Sequence, residues 1–196
     1  MKKPISVIAD TTFYSCFLND INDVYSLIKI IKSGKFLFTF GPVILSELRR
    51  NPNFIKIKDY LEKFQELVTY DIKELVKPFL GEYAVKKGED EVIGIAIVYT
   101  LLGRDYILIL DEDNARKFVK RLSSSISSFK PLEDNMTGTA GFIKKCACEF
   151  KIFEKKEAIT LLYKIKESKF RIDENLIDLI IHELMKVRLN DNEHQY

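Results

Sequence analysis

Four acidic residues in this sequence stand where a folded chain ordinarily places apolar ones. Asp10 ends the run "ISVIAD" and Asp111 ends "YILILD". Each run has the short, continuous apolar character of a buried strand. On a helical wheel of "GPVILSELRR", at about 100° per residue, Glu47 falls between Val43 and Ile44, on the side that also carries Leu48. In "EDEVIGIAIVYT", Glu89 lies in the middle of the face made by Val92, Ile93, Ala96 and Thr100, with Asp90 and Glu91 splayed to the sides. A lone carboxylate on a core-facing stripe is costly unless something neutralises or bonds it.

Converging carboxylates repel unless a cation lies between them. With no His or Cys near these acids, all-oxygen ligation selects a hard divalent ion, Mg²⁺ or Mn²⁺. Such an ion, with open positions for water, suits hydrolysis of a phosphodiester. Glu47 or Glu89 can hold the attacking water as well as the ion. Each acid also has a purely structural explanation. Asp10 suits a helix cap; Asp113 can cap the helix after "DEDN", with Glu112 acting on its dipole. Glu89 can serve the dipole of its own helix, and Glu47 can pair with an arginine. It is the four together, in matching elements, that favour a site.

The elements that must carry these acids alternate. "ISVIAD" and "KFLFTF" read as strands around the helix "DVYSLIKIIKSG", whose face is Val24, Leu27, Ile28 and Ile31 and whose stop is Gly34. "GPVILSELRR" starts a helix with Pro42 in its first turn. "IKIKDYLEKFQELVTYDIKELVKPF" reads as two helical pieces around a short strand such as "LVTYD". An apolar helix "GEDEVIGIAIVYTLLG", the strand "YILIL", the helix "NARKFVKRL" and a serine-rich loop "SSSISS" follow. The chain then runs through "NMTGTAGFIKKCACEF" and "EKKEAITLLYKIKES" to a cap at Asp173 and the helix "ENLIDLIIHELMKV". Strands alternating with helices predict a parallel sheet covered on both faces, with ligands beyond the carboxyl ends of its strands. Neither a G-x-x-x-x-G-K nor a G-x-G-x-x-G phosphate loop occurs.

Composition narrows the class. The 196 residues suit one domain, expected to span 1–196 with 142–196 as a helical extension packed on it. No apolar run approaches the roughly 18 to 20 residues needed to cross a bilayer, and Asp10 interrupts the basic-then-apolar start, so neither a membrane span nor a signal peptide is expected. Three cysteines and two histidines are too few for a disulfide framework or a Cys/His zinc site, which points to a reduced, cytoplasmic protein. A net charge of +2 argues against coating nucleic acid through bulk charge and leaves local basic patches to make any such contact.

The segments "VIADTT", "GPVILSELRR", "GEDEVIGIAI" and "LILDEDNARK" resemble, in this order, the PIN domain, the metal-dependent nuclease fold of VapC toxins. "GEDEVIGIAI" and "LDEDNARK" are especially similar to a prokaryotic, often archaeal, subgroup with a "GE-x-E-A-I" helix, an "LDE-x-x-AR" segment, a "TGT-x-G" turn and two closing helices; "MTGTAGFIKKCACEF" and "AITLLYKIKESKFRIDENLIDLII" resemble that tail. The resemblance covers almost the whole chain. It implies a three-layer α/β/α sandwich with a central parallel sheet, Mg²⁺ or Mn²⁺, and endonucleolytic cleavage of RNA. It also implies a homodimer and, for a VapC protein, an antitoxin partner. Asp10, Glu47, Glu89 and Asp111 map to the catalytic acids, with Asp10, Glu89, Asp111 and Asp113 as metal ligands. Within the last run Asp111 is preferred because it is nearest the strand end, then Asp113, then Glu112. Two departures from the pattern are the longer segment "SSSISSFKPLEDN" and Phe150 at a position where a turn glycine is common.

Arg116, near the acids, is the candidate for a substrate phosphate; Lys117, Lys120 and Arg121 share its face, and the last two read as solvated surface. Thr11 and Thr12 are candidates to bond Asp10 or a metal-bound water, or to cap a turn. Cys146 and Cys148 read as packing. Two other functions compete with a ribonuclease: a non-catalytic PIN-fold module that binds RNA or protein, and a phosphohydrolase with Asp10 as covalent nucleophile. The haloacid-dehalogenase-like D-x-D is absent from "DTT", which ranks that reading last.

Overall fold

The computed structural model describes residues 3–80 and 87–186. Val187, the expected end of the last helix, lies outside the described residues. The chain forms two compact units, Met1–Thr139 and Ala140–Tyr196.

The first unit is built on β1 (Ile5–Ala9), β2 (Phe36–Phe40), β3 (Gln65–Leu67), β4 (Tyr106–Ile109) and β5 (Met136–Thr137). They make one all-parallel sheet in the order β3-β2-β1-β4-β5. Helices flank it as a three-layer α/β/α sandwich, the expected fold class. Val7, Ile8, Ala9, Leu108 and Ile109 have no exposed surface, as the continuous apolar runs require of central strands covered on both faces. Strand order reverses between β1 and β4, where Ala9 is paired with Ile109, so the next residues of both strands emerge side by side at the switch point.

Eleven α-helices are described: α1 (Thr11–Ser15), α2 (Val24–Lys32), α3 (Pro42–Arg50), α4 (Ile55–Leu61), α5 (Ile72–Leu80), α6 (Gly88–Leu101), α7 (Asp113–Ser125), α8 (Lys130–Asp134), α9 (Thr139–Cys148), α10 (Lys155–Lys166) and α11 (Glu174–Lys186). A π-helical turn, Cys16–Asp20, extends α1. In α2 the buried face is Leu27, Ile30 and Ile31, rotated slightly from the wheel, with Val24 and Ile28 half-buried. Gly34 takes the expected left-handed conformation at φ 67°.

Three local readings are corrected. The strand expected at "LVTYD" lies earlier, at Gln65–Leu67, and has only three residues. It is an edge strand held by side chains: Arg104 Nη2 donates to Glu66 Oε1 at 3.0 Å and Oε2 at 3.1 Å, and Tyr99 Oη donates to Glu66 Oε2 at 2.8 Å. Most of the serine-rich loop is helix, because Ser123–Ser125 complete α7 and Ser127–Phe129 form a 3-10 turn, with the Ser123 hydroxyl bonding the Phe129 carbonyl at 3.0 Å. An unforeseen two-residue strand, β5, too short to show periodicity, ends on the first threonine of "TGT".

In the second unit α10 buries Ala158, Leu161, Leu162 and Ile165, and α11 buries Ile177, Ile180, Ile181 and Leu184. Lys166 bonds both carboxylate oxygens of Asp178 at 2.7 Å, tying the two helices together. Asp173 accepts the Asn175 N–H at 2.9 Å before α11, as expected of a cap. After α9, the left-handed turn falls on Lys151 (φ 54°), next to Phe150, and Ile152 N–H returns to the Cys146 carbonyl at 2.8 Å.

Candidate active site

Asp10 follows β1 directly and is 2% exposed. Its Oδ1 caps α1 by accepting the Phe13 N–H at 3.2 Å, while its Oδ2 is buried without a hydrogen-bond partner among the described residues. The structural and the functional readings of Asp10 therefore each claim one oxygen. Burial, then the charges of Asp111 and Glu89, push its pKa up to about 7 against the opposing pull of the Phe13 and Thr12 N–H groups. The neighbouring Tyr14 hydroxyl is also buried and unpartnered, and burial with the Asp10 charge holds its proton on well above the usual tyrosine range.

Asp111 lies two residues beyond β4 and is bound from the "TGT" turn. Thr139 donates its backbone N–H to Oδ1 at 2.8 Å and its hydroxyl to Oδ2 at 2.5 Å. Gly138 permits the approach, since a Cβ there would lie 2.8 Å from Asp111 Oδ1. Burial raises the Asp111 pKa, opposed by the Thr139 bonds and by Arg116. Arg116 Nη1 donates to the Leu110 carbonyl at 2.8 Å, which holds the guanidinium at the strand end.

The acids that follow Asp111 divide differently from the cap expected at Asp113. Glu112 is the N-cap of α7, its Oε2 accepting the Ala115 N–H at 2.7 Å, and Asp113 is exposed in the first turn.

Glu47, half-buried on α3, accepts the Thr11 hydroxyl at Oε2 at 2.9 Å. Thr11 thus bonds Glu47 rather than Asp10, and Thr12 is exposed. A Cβ on Gly88, the first residue of α6, would lie 2.9 Å from Glu47 Oε2, so Glu47 stands against the start of the helix that carries Glu89. Glu89 is half-buried and its charge is felt at Asp10. Asp10, Glu89 and Asp111 are therefore brought within electrostatic reach, and Glu47 touches the residue on either side of them, Thr11 and Gly88. Lys117, Lys120 and Arg121 are exposed on α7.

Two residues of this region escaped the sequence reading. Thr139 holds Asp111 from 28 positions away. Glu91, placed at the side of its helix by the wheel, is 1% exposed and accepts the N–H groups of Val43 at 2.9 Å and Ile44 at 2.8 Å. A legible signal for Glu91 exists: α3 begins at Gly41-Pro42 with no side chain of its own to cap it, so a cap from elsewhere was needed.

As donors these residues fit a hard divalent cation: all are oxygens, and Asp10 Oδ2 is an orphaned buried acceptor beside two further negative charges. As placed they do not surround a common point, because among the described residues no three His, Cys, Asp or Glu side chains group closely enough to hold an ion. No helix among the described residues is long and apolar enough to cross a membrane. No family model, curated protein or solved structure matches the chain.

Proposed function

We propose that this chain is a divalent-metal-dependent endoribonuclease of the PIN type. One observation carries the reading: Asp10 Oδ2 is buried and unpartnered at the switch point of a parallel sheet, next to the charges of Asp111 and Glu89. Buried carboxylate oxygens ordinarily have a donor, and this one has none among the described residues. Asp10, Glu89 and Asp111 would hold Mg²⁺ or Mn²⁺, with Asp113 as the outermost acid. The ion, when bound, supplies Lewis acidity to water and balances charge on the attacked phosphate. Glu47, oriented by the Thr11 hydroxyl, orients the attacking water and takes its proton. Arg116, with further N–H donors beyond the one given to Leu110, faces a phosphate. As a VapC-like toxin the protein would act as a homodimer restrained by an antitoxin.

A second reading, a non-catalytic PIN-fold module that binds RNA or protein, is favoured by one observation. Among the described residues no three acids are gathered for an ion, and both oxygens of Asp111 are engaged by Thr139. Calorimetric Mn²⁺ titration of wild type and Asp10→Asn, followed by incubation with mixed RNA, separates the two. The nuclease reading expects saturable binding, lost in the variant, and cleavage that EDTA stops. RNA or protein binding without Mn²⁺ uptake, even in the presence of a non-cleavable RNA, would establish the second.

A further inference from the structure

We infer that Glu91 is a positioning residue for Glu47: it docks the first turn of α3 on α6 and so sets where the Glu47 carboxylate stands. The inference rests on the reading of Asp10, Glu47, Glu89 and Asp111 as one site.

The first turn of a helix presents N–H groups that the helix itself cannot satisfy. In α3, Pro42 has no N–H to offer, and the next two donors, Val43 and Ile44, are both taken by the two oxygens of Glu91. A buried carboxylate accepting two backbone N–H groups is a directional clamp, stronger than apolar contact alone. Gly41 makes the room, since a Cβ there would overlap the Glu91 carboxylate, lying 2.6 Å from its Oε2.

The contact is repeated with the roles exchanged. One turn further along α3, Glu47 lies over Gly88, where a Cβ would come 2.9 Å from Glu47 Oε2 and 2.7 Å from Ile44 Cδ1. Gly88 is in turn three residues before Glu91, one turn of α6. Each helix thus begins with a glycine that receives a glutamate of the other. Ile44 takes part in both contacts, by its N–H to Glu91 and its side chain against Gly88. Displacing the Glu91 clamp frees α3 to slide over Gly88, and Glu47 moves with it relative to Thr11 and Glu89. Glu91 touches no reacting atom in this scheme; it acts through α3.

Glu91→Gln tests this, because the amide keeps the shape but turns one acceptor into a donor facing an N–H. Gly41→Ala is the companion variant: it keeps every acid and fills only the space of the carboxylate. Side-chain carboxyl ¹³C spectra of the metal-free proteins, with amide exchange at Val43 and Ile44, are to be recorded beside Mn²⁺ affinity. In both variants the Glu47 carboxyl resonance is expected to shift and protection at Val43 and Ile44 to fall, with Mn²⁺ affinity lowered about 10-fold, as for outer-shell partners elsewhere. Folded variants that lose stability but keep the wild-type Glu47 resonance would overturn the inference and leave Glu91 a cap. Should Glu91→Gln not fold, Gly41→Ala carries the same comparison. A wild type that takes up no Mn²⁺ counts against the four-acid site, whereas the metal-free Glu47 resonance still decides the role of Glu91.

Discussion

Thr139 gives Asp111 two hydrogen bonds, one from its backbone N–H and one from its hydroxyl, and is itself fully buried. Thr139, the last residue of the first unit, thereby fixes the carboxylate two residues beyond β4. Thr139→Val keeps the volume and removes the hydroxyl, leaving Asp111 Oδ2 without its donor. The expected cost is about 1–3 kcal/mol in urea unfolding at neutral pH, the penalty for stranding a buried acceptor. A change below about 0.5 kcal/mol, the scatter of ordinary surface substitutions, would mean that solvent replaces the hydroxyl.

Asp10 makes the metal-free chain pH-sensitive. Its folded pKa, about 7, lies above the unfolded value of 3.8. The folded state therefore binds the Asp10 proton more tightly, and stability is highest below the unfolded pKa and falls as pH rises from about 4 through 7. Asp111 is shifted in the same direction. Asp10→Asn removes the ionisation, so its stability advantage over wild type is expected to widen between pH 4 and pH 8. Thermal unfolding in EDTA across that range checks it; parallel curves would place the unpartnered oxygen in contact with water.

Mn²⁺ and the proton compete for the same carboxylates on the proposed reading. Added Mn²⁺ is expected to raise the Tm of wild type more at pH 8 than at pH 5, and to leave Asp10→Asn unchanged at both. An equal rise in the two proteins would locate the ion elsewhere.

The division of labour in "DEDN" is open to two alanine variants. Glu112→Ala removes the α7 cap and is expected to lower stability by about 0.5–2 kcal/mol without changing Mn²⁺ affinity. Asp113→Ala, at an exposed position, is expected to be near neutral in stability and to weaken Mn²⁺ binding only if this acid joins the proposed ligands. Equal losses of stability would return the cap to a shared role.

Lys151 is an exposed residue in the left-handed conformation that ends α9. A Cβ is unfavourable there, so Lys151→Gly is expected to stabilise the chain by about 1 kcal/mol, read by chemical unfolding. A destabilised variant would show that the unfolded-state entropy of glycine outweighs the relief.

By itself the sequence determined the alternation of strands and helices, and with it the parallel sheet and the two aspartates at its carboxyl edge. It also marked Glu47 and Glu89 as acids on apolar faces. All of this is carried by periodicity, which is local: a strand or helix shows which way each residue points without reference to the rest of the chain. Edge strands of three and two residues are too short for a period, so β3 was misplaced and β5 unforeseen. Tertiary structure alone decided which acid is structural and which is left unsatisfied. Glu112 is spent on a cap, Asp111 is bonded by Thr139 from 28 positions away, and Glu91 clamps a helix whose first turn lies 47 and 48 positions before it. Asp10 is left with a buried carboxylate oxygen that has no partner among the described residues. Whether a carboxylate is satisfied depends on donors that folding brings from distant segments, and no spacing along the chain encodes their arrival.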